Sequence, residues 1–247
     1  MNHPVALELR ELDYRYAPGE PLVLRGLSLA LPSGARCLVV GRNGAGKSTF
    51  LEILAGRRMI APDAVMVLGR PAFHDTSLSR RVSYVGGAFP FDADMPVWEI
   101  LEAHARADRG RRDRLVATLG IDLAWRMSRV SSGQRRRVQL LLGLLHAVEL
   151  LLLDEVTTDL DLLARLDLLT LLREESLAHG VTILHATHIF DRLDGWATHV
   201  LHLEAGRVRR LVCVEELPAT RSLLEVVESW LREGVPGQSD TRGPKSS

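Results

Sequence analysis

The sequence predicts an α/β fold: a mostly parallel core sheet with an antiparallel β subdomain at the N-terminus and a helical subdomain. Three observations carry that expectation. From Leu150 the apolar pattern alternates strand ("LLLLD"), helix ("DLLARLDLLTLLREESLAHG"), strand ("VTILHAT"), helix ("FDRLDGW") and strand ("HVLHLEAGRVRRL"). Strands separated by helices pair in parallel and are covered on both faces. Upstream, the buried-strand pattern "ARCLVV" runs into a glycine-rich loop, "GRNGAGKS", which opens the helix "KSTFLEILAG". Between the strand-like "RVSYVGG" and Leu150, residues 97 to 146 are rich in helix formers and arginine, which predicts an inserted helical subdomain over about residues 95–145.

The other elements follow the same rules. From Val5 to Leu31 short alternating runs broken by "APGEP" read as antiparallel strands and turns. "VMVLG" reads as a further strand, and a last helix is expected from Glu215 to Glu233. The polar tail "GVPGQSDTRGPKSS" is expected to be disordered over 236–247. With no internal repeat and no long linker, residues 1–235 read as one domain.

Composition narrows the function classes. The 247 residues are 46% hydrophobic and 25% charged, enough to bury a substantial core. Basic and acidic residues balance at 31 each, so no overall field points to nucleic acid or anionic lipid, and no direct nucleic-acid contact is expected. Cys37 and Cys213 lack metal-ligand spacing and fit a reducing compartment, although a single disulfide between them stays open. "MNHPVALELRELDY" has no signal-peptide pattern, which points to the cytoplasm, or to the nucleus in a eukaryote. The apolar run from Val138 to Leu153 is shorter than the roughly 20 residues a membrane span needs. It also carries Gln139, His146 and Glu149, and reads as a buried helix followed by a buried strand.

Two motifs carry chemistry. "GRNGAGKST" fits G-x-x-x-x-G-K-[ST], with Gly41, Asn43, Gly44, Gly46, Lys47, Ser48 and Thr49 read as nucleotide contacts. Its backbone N–H groups and the following helix N-terminus suit a polyphosphate. Lys47 reaches the outer phosphates, and the Ser48 hydroxyl can ligate Mg²⁺. The second motif is "LLLLDEVTTDLD". Its leucines suit a strand buried on both faces, which ends beside the phosphate loop, where ligands bind in open α/β sheets. Asp154 is placed to hold the metal, and Glu155 to polarise the attacking water as general base. Asp159 or Asp161 can instead cap the next helix.

A third stretch, "VSSGQRRRVQLLLGLL", sets serines and a glycine ahead of an amphipathic helix, a second anion site at a helix N-terminus. With these three stretches in order, the chain resembles the ABC ATPase superfamily over nearly its whole length. The resemblance implies a P-loop NTPase fold of ABC type, Mg²⁺-dependent ATP hydrolysis and Lys47, Glu155 and His188 as catalytic residues. Val130, Ser131, Ser132, Gly133 and Gln134 stand where the family reads L-S-G-G-Q. The signature there binds ATP held by the other subunit, which implies a head-to-tail homodimer with two nucleotides at its interface. Tyr16, about 25 residues before Gly41, occupies the place of the family's adenine-stacking aromatic, with Tyr14 as competitor. His188, after the strand that follows Walker B, matches a histidine that contacts the γ-phosphate. Asp161 closes a segment matching the loop that crosses the dimer interface. His199 and His202 stand three apart on one strand and so face opposite ways, a poor metal arrangement. The run Arg135–Arg137 is usual after this signature and reads as a solvated face.

Two departures from the family pattern matter. Gly86 and Gly87 stand where the family has a glutamine that contacts magnesium and marks the groove receiving a transporter's membrane domain. Either water fills that position or Asp92 or Asp94 substitutes. "DEVTTDLD" replaces the common D-E-P-T-S-G-L-D. Together with "ATHIFD" it is similar to a stand-alone soluble group that includes a fungal protein associated with a transcription-regulating deadenylase complex. The resemblance therefore implies a soluble ATPase driving a conformational cycle on an unidentified protein partner. The alternative is the ATP-binding subunit of a membrane transporter.

Overall fold

The computed structural model describes residues 4–87, 89, 94–104, 107–190, 193–218 and 220–233. Alternating apolar residues make β1 (Val5–Tyr14) and β2 (Leu24–Pro32) an antiparallel pair. β3 (Arg36–Val40), buried at every residue, leads into α1 (Lys47–Leu54). β4 (Val65–Val67) and β5 (Arg70–Pro71) complete a four-stranded N-terminal sheet in the order β2-β1-β4-β5. After β6 (Val82–Val85), the described residues of the inserted segment form α2 (Val97–Glu102), α3 (Arg109–Thr118) and α4 (Ser132–Leu144). β7 (Leu150–Asp154), α5 (Leu162–His179), β8 (Thr182–Ala186), β9 (His199–Glu204), β10 (Arg207–Cys213) and α6 (Leu223–Glu233) follow.

The larger sheet runs β10-β9-β3-β8-β7-β6, parallel throughout except for the edge pair β10–β9. Alternation of side chains across it divides the core in two. Leu38, Val40, Leu151, Leu153 and Ile183 enter the layer beneath the helical segment. Cys37, Val39, Leu150, Leu152 and Leu184 pack on α1 and the N-terminal sheet. Because β3, β8 and β7 are adjacent and parallel, their C-terminal ends bring Gly41, Thr187 and Asp154 to one edge.

The inserted helices are tied to this frame at specific points. Arg111 of α3 pairs with Glu175 of α5 at 2.8 Å, both side chains largely buried, and donates to the Leu144 carbonyl at 2.7 Å. Ser83 of β6 donates to the Gly143 carbonyl of α4 at 2.7 Å.

Three expectations are corrected. The described part of "FDRLDGW" makes turns: Leu193 N–H donates to the Phe190 carbonyl and Trp196 N–H to that of Leu193, and the described residues of the segment form no helix. The single long strand expected from His199 is a hairpin. Ala205 and Gly206 have φ of 46° and 75°, the two positive values of a tight two-residue turn, and the strand-like residues around them mask it. The last helix starts at Leu223, eight residues late. Pro218 disfavours helix before it, whereas Ser222 and Glu225 cap the true start by accepting from each other's backbone N–H. The expected disordered tail lies outside the described residues.

Both cysteines are free, Cys37 being buried and its thiol pushed up to about 12. Among the described residues no helix is long and apolar enough to cross a membrane. The Val138–Leu153 run divides between α4 and β7, as expected.

His185 on β8 is 1% exposed, lies edge-on to Trp196, and has no partner for either ring nitrogen. Burial pushes its pKa down from 6.5 to about 4. Between those values the unfolded chain binds a proton that the folded one rejects, so this contribution to stability falls as pH drops from about 6.5 toward 4. We expect His185→Leu to lose about 2 kcal/mol less than the wild type between pH 7 and pH 5. Urea midpoints at the two pH values measure the difference; equal losses exclude His185 as the source.

Candidate functional site

The loop after β3 closes on itself at Gly46, whose φ is 98° and where a Cβ would stand 2.6 Å from the Leu24 side chain. Only glycine suits that conformation and that space. Gly46 also caps α1 without a side chain, so the first N–H groups of the helix point into the loop unclaimed by a cap. Asn43, Gly44 and Ser48 are exposed, Gly41 is half-buried, and Thr49 is buried. The Lys47 ammonium donates to the Gly41 and Arg42 carbonyls at 2.8 and 3.3 Å. Burial lowers its pKa, while Glu155 and Asp154 pull it upward.

Tyr16 belongs to this cluster and Tyr14 does not. The Tyr16 hydroxyl lies 2.7 Å from Thr49 Oγ1, and the half-exposed ring is covered by the Arg58 guanidinium at 5.0 Å. Tyr14 meets its edge at 5.5 Å and packs on the N-terminal core.

Across the sheet, Asp154 ends β7 at 7% exposure. Burial raises its pKa, the Ser48 and Tyr84 hydroxyls lower it, Glu155 raises it and Lys47 lowers it, leaving it above the usual carboxylate value. Oδ2 accepts from the Tyr84 hydroxyl at 3.0 Å, whereas buried Oδ1 accepts no hydrogen bond of ordinary geometry, Ser48 lying near enough to lower the pKa without completing one. An orphaned carboxylate oxygen beside Ser48 fits a hard cation. Glu155 follows with φ of 52°, a left-handed conformation costly for glutamate, fixed by its N–H on the Ala186 carbonyl at 2.9 Å. His188 Nδ1 stands 3.8 Å from Glu155 Oε1. A cavity of about 360 Å³ is lined by Ser48, Gly87, Arg136, Asp154, Glu155 and Asp159, among others. The structure thus gathers Lys47, Ser48, Asp154, Glu155 and His188 at one edge.

The first of the two glycines in place of the family's glutamine has a local steric reason. A Cβ on Gly86 would stand 2.6 Å from the Asp154 Cβ and 2.9 Å from the Tyr84 hydroxyl, so any larger residue would disrupt the Tyr84–Asp154 bond. Asp94 is not the substitute. Ser128 and Arg126 hold its carboxylate, with its pKa down to about 2. Asp92 lies outside the described residues.

Ser131–Gln134 do not join this cavity. Ser131 caps α4 by accepting from Gln134 N–H at 3.2 Å, and the Gln134 side chain accepts from Ser131 N–H at 2.9 Å. Ser132 is exposed on the first turn. Ser131, Gly133 and Gln134 line a separate cavity of about 340 Å³ with Trp125, Asp159 and Asp161. Asp161 caps α5 through Ala164 N–H at 2.9 Å. A Cβ on Gly133 would stand 2.7 Å from the Asp159 carbonyl, so the segment after Glu155 lies directly on the start of α4.

The arginine run is not a solvated face. Arg135 donates to the Met127 carbonyl at 2.8 Å, Arg136 pairs with Asp159 at 3.3 Å, and Arg137 pairs with Asp161 at 2.5 Å. Charge pattern alone misses this because the acids lie more than twenty residues away in sequence. Tyr84 was likewise readable only as a strand residue, its partner Asp154 being 70 positions on.

Removing the phenol should expose the role of Tyr84. We expect Tyr84→Phe to cost about 1–3 kcal/mol in urea unfolding at pH 7, because a buried carboxylate loses a donor. A loss below about 0.5 kcal/mol would show that water supplies the bond equally well.

The comparisons with known proteins agree with this geometry. The ABC transporter family profile matches residues 24–158, from β2 through the segment after Glu155. ABC transporter I family member 20 of Arabidopsis thaliana is 44% identical, with 90% of this chain and 72% of the relative covered. CCR4-associated factor 16 of Saccharomyces cerevisiae is 37% identical, with 82% and 77% covered. A solved dimeric ATP-binding cassette, in a post-hydrolysis state with ADP and Pi, superposes with a TM-score of 0.72 at 20% identity, covering 85% of this chain and 100% of that one. The chain belongs to the ABC transporter family and has the ABC ATPase fold.

Proposed function

We propose that residues 1–235 form one ATPase domain that binds and hydrolyses ATP at the interface of a head-to-tail homodimer, driving a conformational cycle on a protein partner. The observation that carries this reading is the orphaned Asp154 Oδ1, buried beside Ser48 and Lys47 at the mouth of an uncapped helix N-terminus.

Tyr16 offers its half-exposed ring to the adenine. The loop from Gly41 to Thr49, including Asn43, Gly44 and Gly46, surrounds the phosphates with N–H groups, and Lys47 turns from its loop carbonyls to the outer phosphates. Ser48 and Asp154 would hold Mg²⁺. Among the described residues no cluster of three or more His, Cys, Asp or Glu could hold a metal, so phosphate and water would supply the remaining positions, as suits magnesium. When bound, the ion neutralises charge developing on the phosphates. Glu155, held in a strained conformation with its carboxylate part-exposed, orients water for in-line attack and accepts its proton. His188, 3.8 Å from that carboxylate, would contact the γ-phosphate. Ser131, Ser132, Gly133 and Gln134 would meet the nucleotide held by the second subunit, which agrees with their place in a cavity of their own.

The resemblance to the stand-alone group implies a regulatory, transcription-associated partner; the yeast relative's name, that of a factor associated with another protein, and the missing glutamine support a protein partner over coupling to a membrane domain through that residue. A transporter subunit is the second reading, favoured by the family's name. Recovery in membranes with an integral protein, rather than as a free homodimer, is the result that supports it.

We expect Glu155→Gln to keep ATP affinity, to lose turnover by at least about 100-fold, and to elute as a dimer with ATP and Mg²⁺. Phosphate release and size-exclusion chromatography with light scattering test both parts. Undiminished turnover removes Glu155 from the mechanism, and a monomer with trapped ATP removes the interface.

A further inference from the structure

Arg136 projects from the second turn of α4 into the cavity that holds Ser48, Asp154 and Glu155. Its side chain is 15% exposed, too enclosed for an ordinary surface charge. Its nitrogens are unevenly committed. Nη1 donates strongly to Gln139 Oε1, at 2.5 Å. The contacts to Asp159 Oδ2, at 3.3 and 3.4 Å, and to the Gly87 carbonyl, at 3.4 Å, are at the outer limit of hydrogen bonding. Gln139 anchors the assembly by donating to the Gly86 carbonyl at 3.1 Å. The guanidinium is thus fixed on one side by a buried amide and weakly held on the other, facing a cavity ringed by Asp154, Glu155 and Asp159.

The same loop is where the sequence has glycine in place of a glutamine. Gly86 excludes a side chain by contact with Tyr84 and Asp154, and Gly87 has φ of 66° with no atom of the described residues within 4 Å of a Cβ. The space left above Gly87 is bordered by Arg136. A guanidinium presents paired donors that match a phosphoryl group better than long contacts to a carbonyl and one carboxylate oxygen.

We propose that Arg136 contacts the γ-phosphate of the ATP bound in its own subunit, occupying the position left by the missing glutamine. This rests on the ATPase reading above. The contact distinguishes ATP from ADP, and because Arg136 rides on α4, it draws the helical segment toward a bound triphosphate. Phosphate release returns the guanidinium to Asp159 and the Gly87 carbonyl.

The test uses the full chain carrying Glu155→Gln, so that nothing is hydrolysed, with MgATP and MgADP titrated by calorimetry. We expect Arg136→Gln to weaken ATP binding about tenfold or more, the loss of one charge-assisted contact, and to change ADP binding less than about twofold. Arg136→Lys should recover part of the preference for ATP. Asp159→Asn, which removes the ion pair but keeps the guanidinium, should preserve that preference, and thermal unfolding checks that each variant is folded. The proposal is overturned if ATP and ADP weaken in parallel, if neither changes, or if Asp159→Asn reproduces the Arg136→Gln defect, since the arginine would then only brace the loop. If the parent protein binds neither nucleotide, the ATPase reading fails and takes this one with it.

Discussion

The arrangement depends on one uncomfortable charge. Asp154 is buried at the end of a strand whose other residues are leucine, where an ionised carboxylate is costly unless something offsets it. Two hydroxyls and one ammonium do so in part: Tyr84, Ser48 and Lys47. The shortfall shows in its raised pKa and in the unpartnered Oδ1. Lys47 shares the difficulty, since burial lowers its own pKa while Asp154 and Glu155 restore it. Each group is tolerated because the others are there, which is how a site can be preorganised for a cation and an anion together.

Close approach of backbones is what allows that cluster to communicate with the helical segment. α4 meets β6 where Gly143 leaves room for Val85, and it meets the segment after Glu155 where Gly133 touches the Asp159 carbonyl. The ion pair of Arg111 with Glu175 holds α3 on the same frame. With two close glycine contacts, the Ser83 and Arg111 hydrogen bonds to its last carbonyls and the Gln139 bond to Gly86, α4 is a rigid lever rather than a loose cover. Rigid packed elements of this kind have few alternative arrangements, so a small displacement at one end reappears at the other.

The parts legible in the sequence were those with a local cause. Buried runs such as "LLLLD" announce a central parallel strand, and glycines followed by Lys47 and Ser48 announce a loop that opens a helix. Asp161 is one of the two acids that the pattern offers as a cap, and it does cap α5, whereas the capping box at Ser131 is not separable in sequence from the anion site that the same serines suggest. The failures were nonlocal or masked. The Ala205–Gly206 turn hid inside two strands of the same character. The segment after Phe190 has helix-like apolar spacing but only turns in its described part. Arg135–Arg137 looked solvated because nothing nearby in sequence names Met127, Asp159 or Asp161 as their partners. Tyr84 left one trace, the paired glycines after it, at a point where the chain needed room for the phenol to reach Asp154.

Asp159 lines both cavities, and this limits how strongly they can influence each other through charge. Its pair with Arg136 is long, and the carboxylate is 35% exposed, so solvent screens it. Pairs of that kind contribute at most about 1 kcal/mol, roughly a fivefold change in an equilibrium. Coupling stronger than that cannot pass through the ion pair alone. The Gly133–Asp159 backbone contact offers a second route, since a side chain has no room there and a shift of the segment presses directly on α4. The arginine therefore suits the recognition of a nearby phosphoryl group, and the glycine suits the transmission of movement, two tasks divided between residues three apart on the same helix.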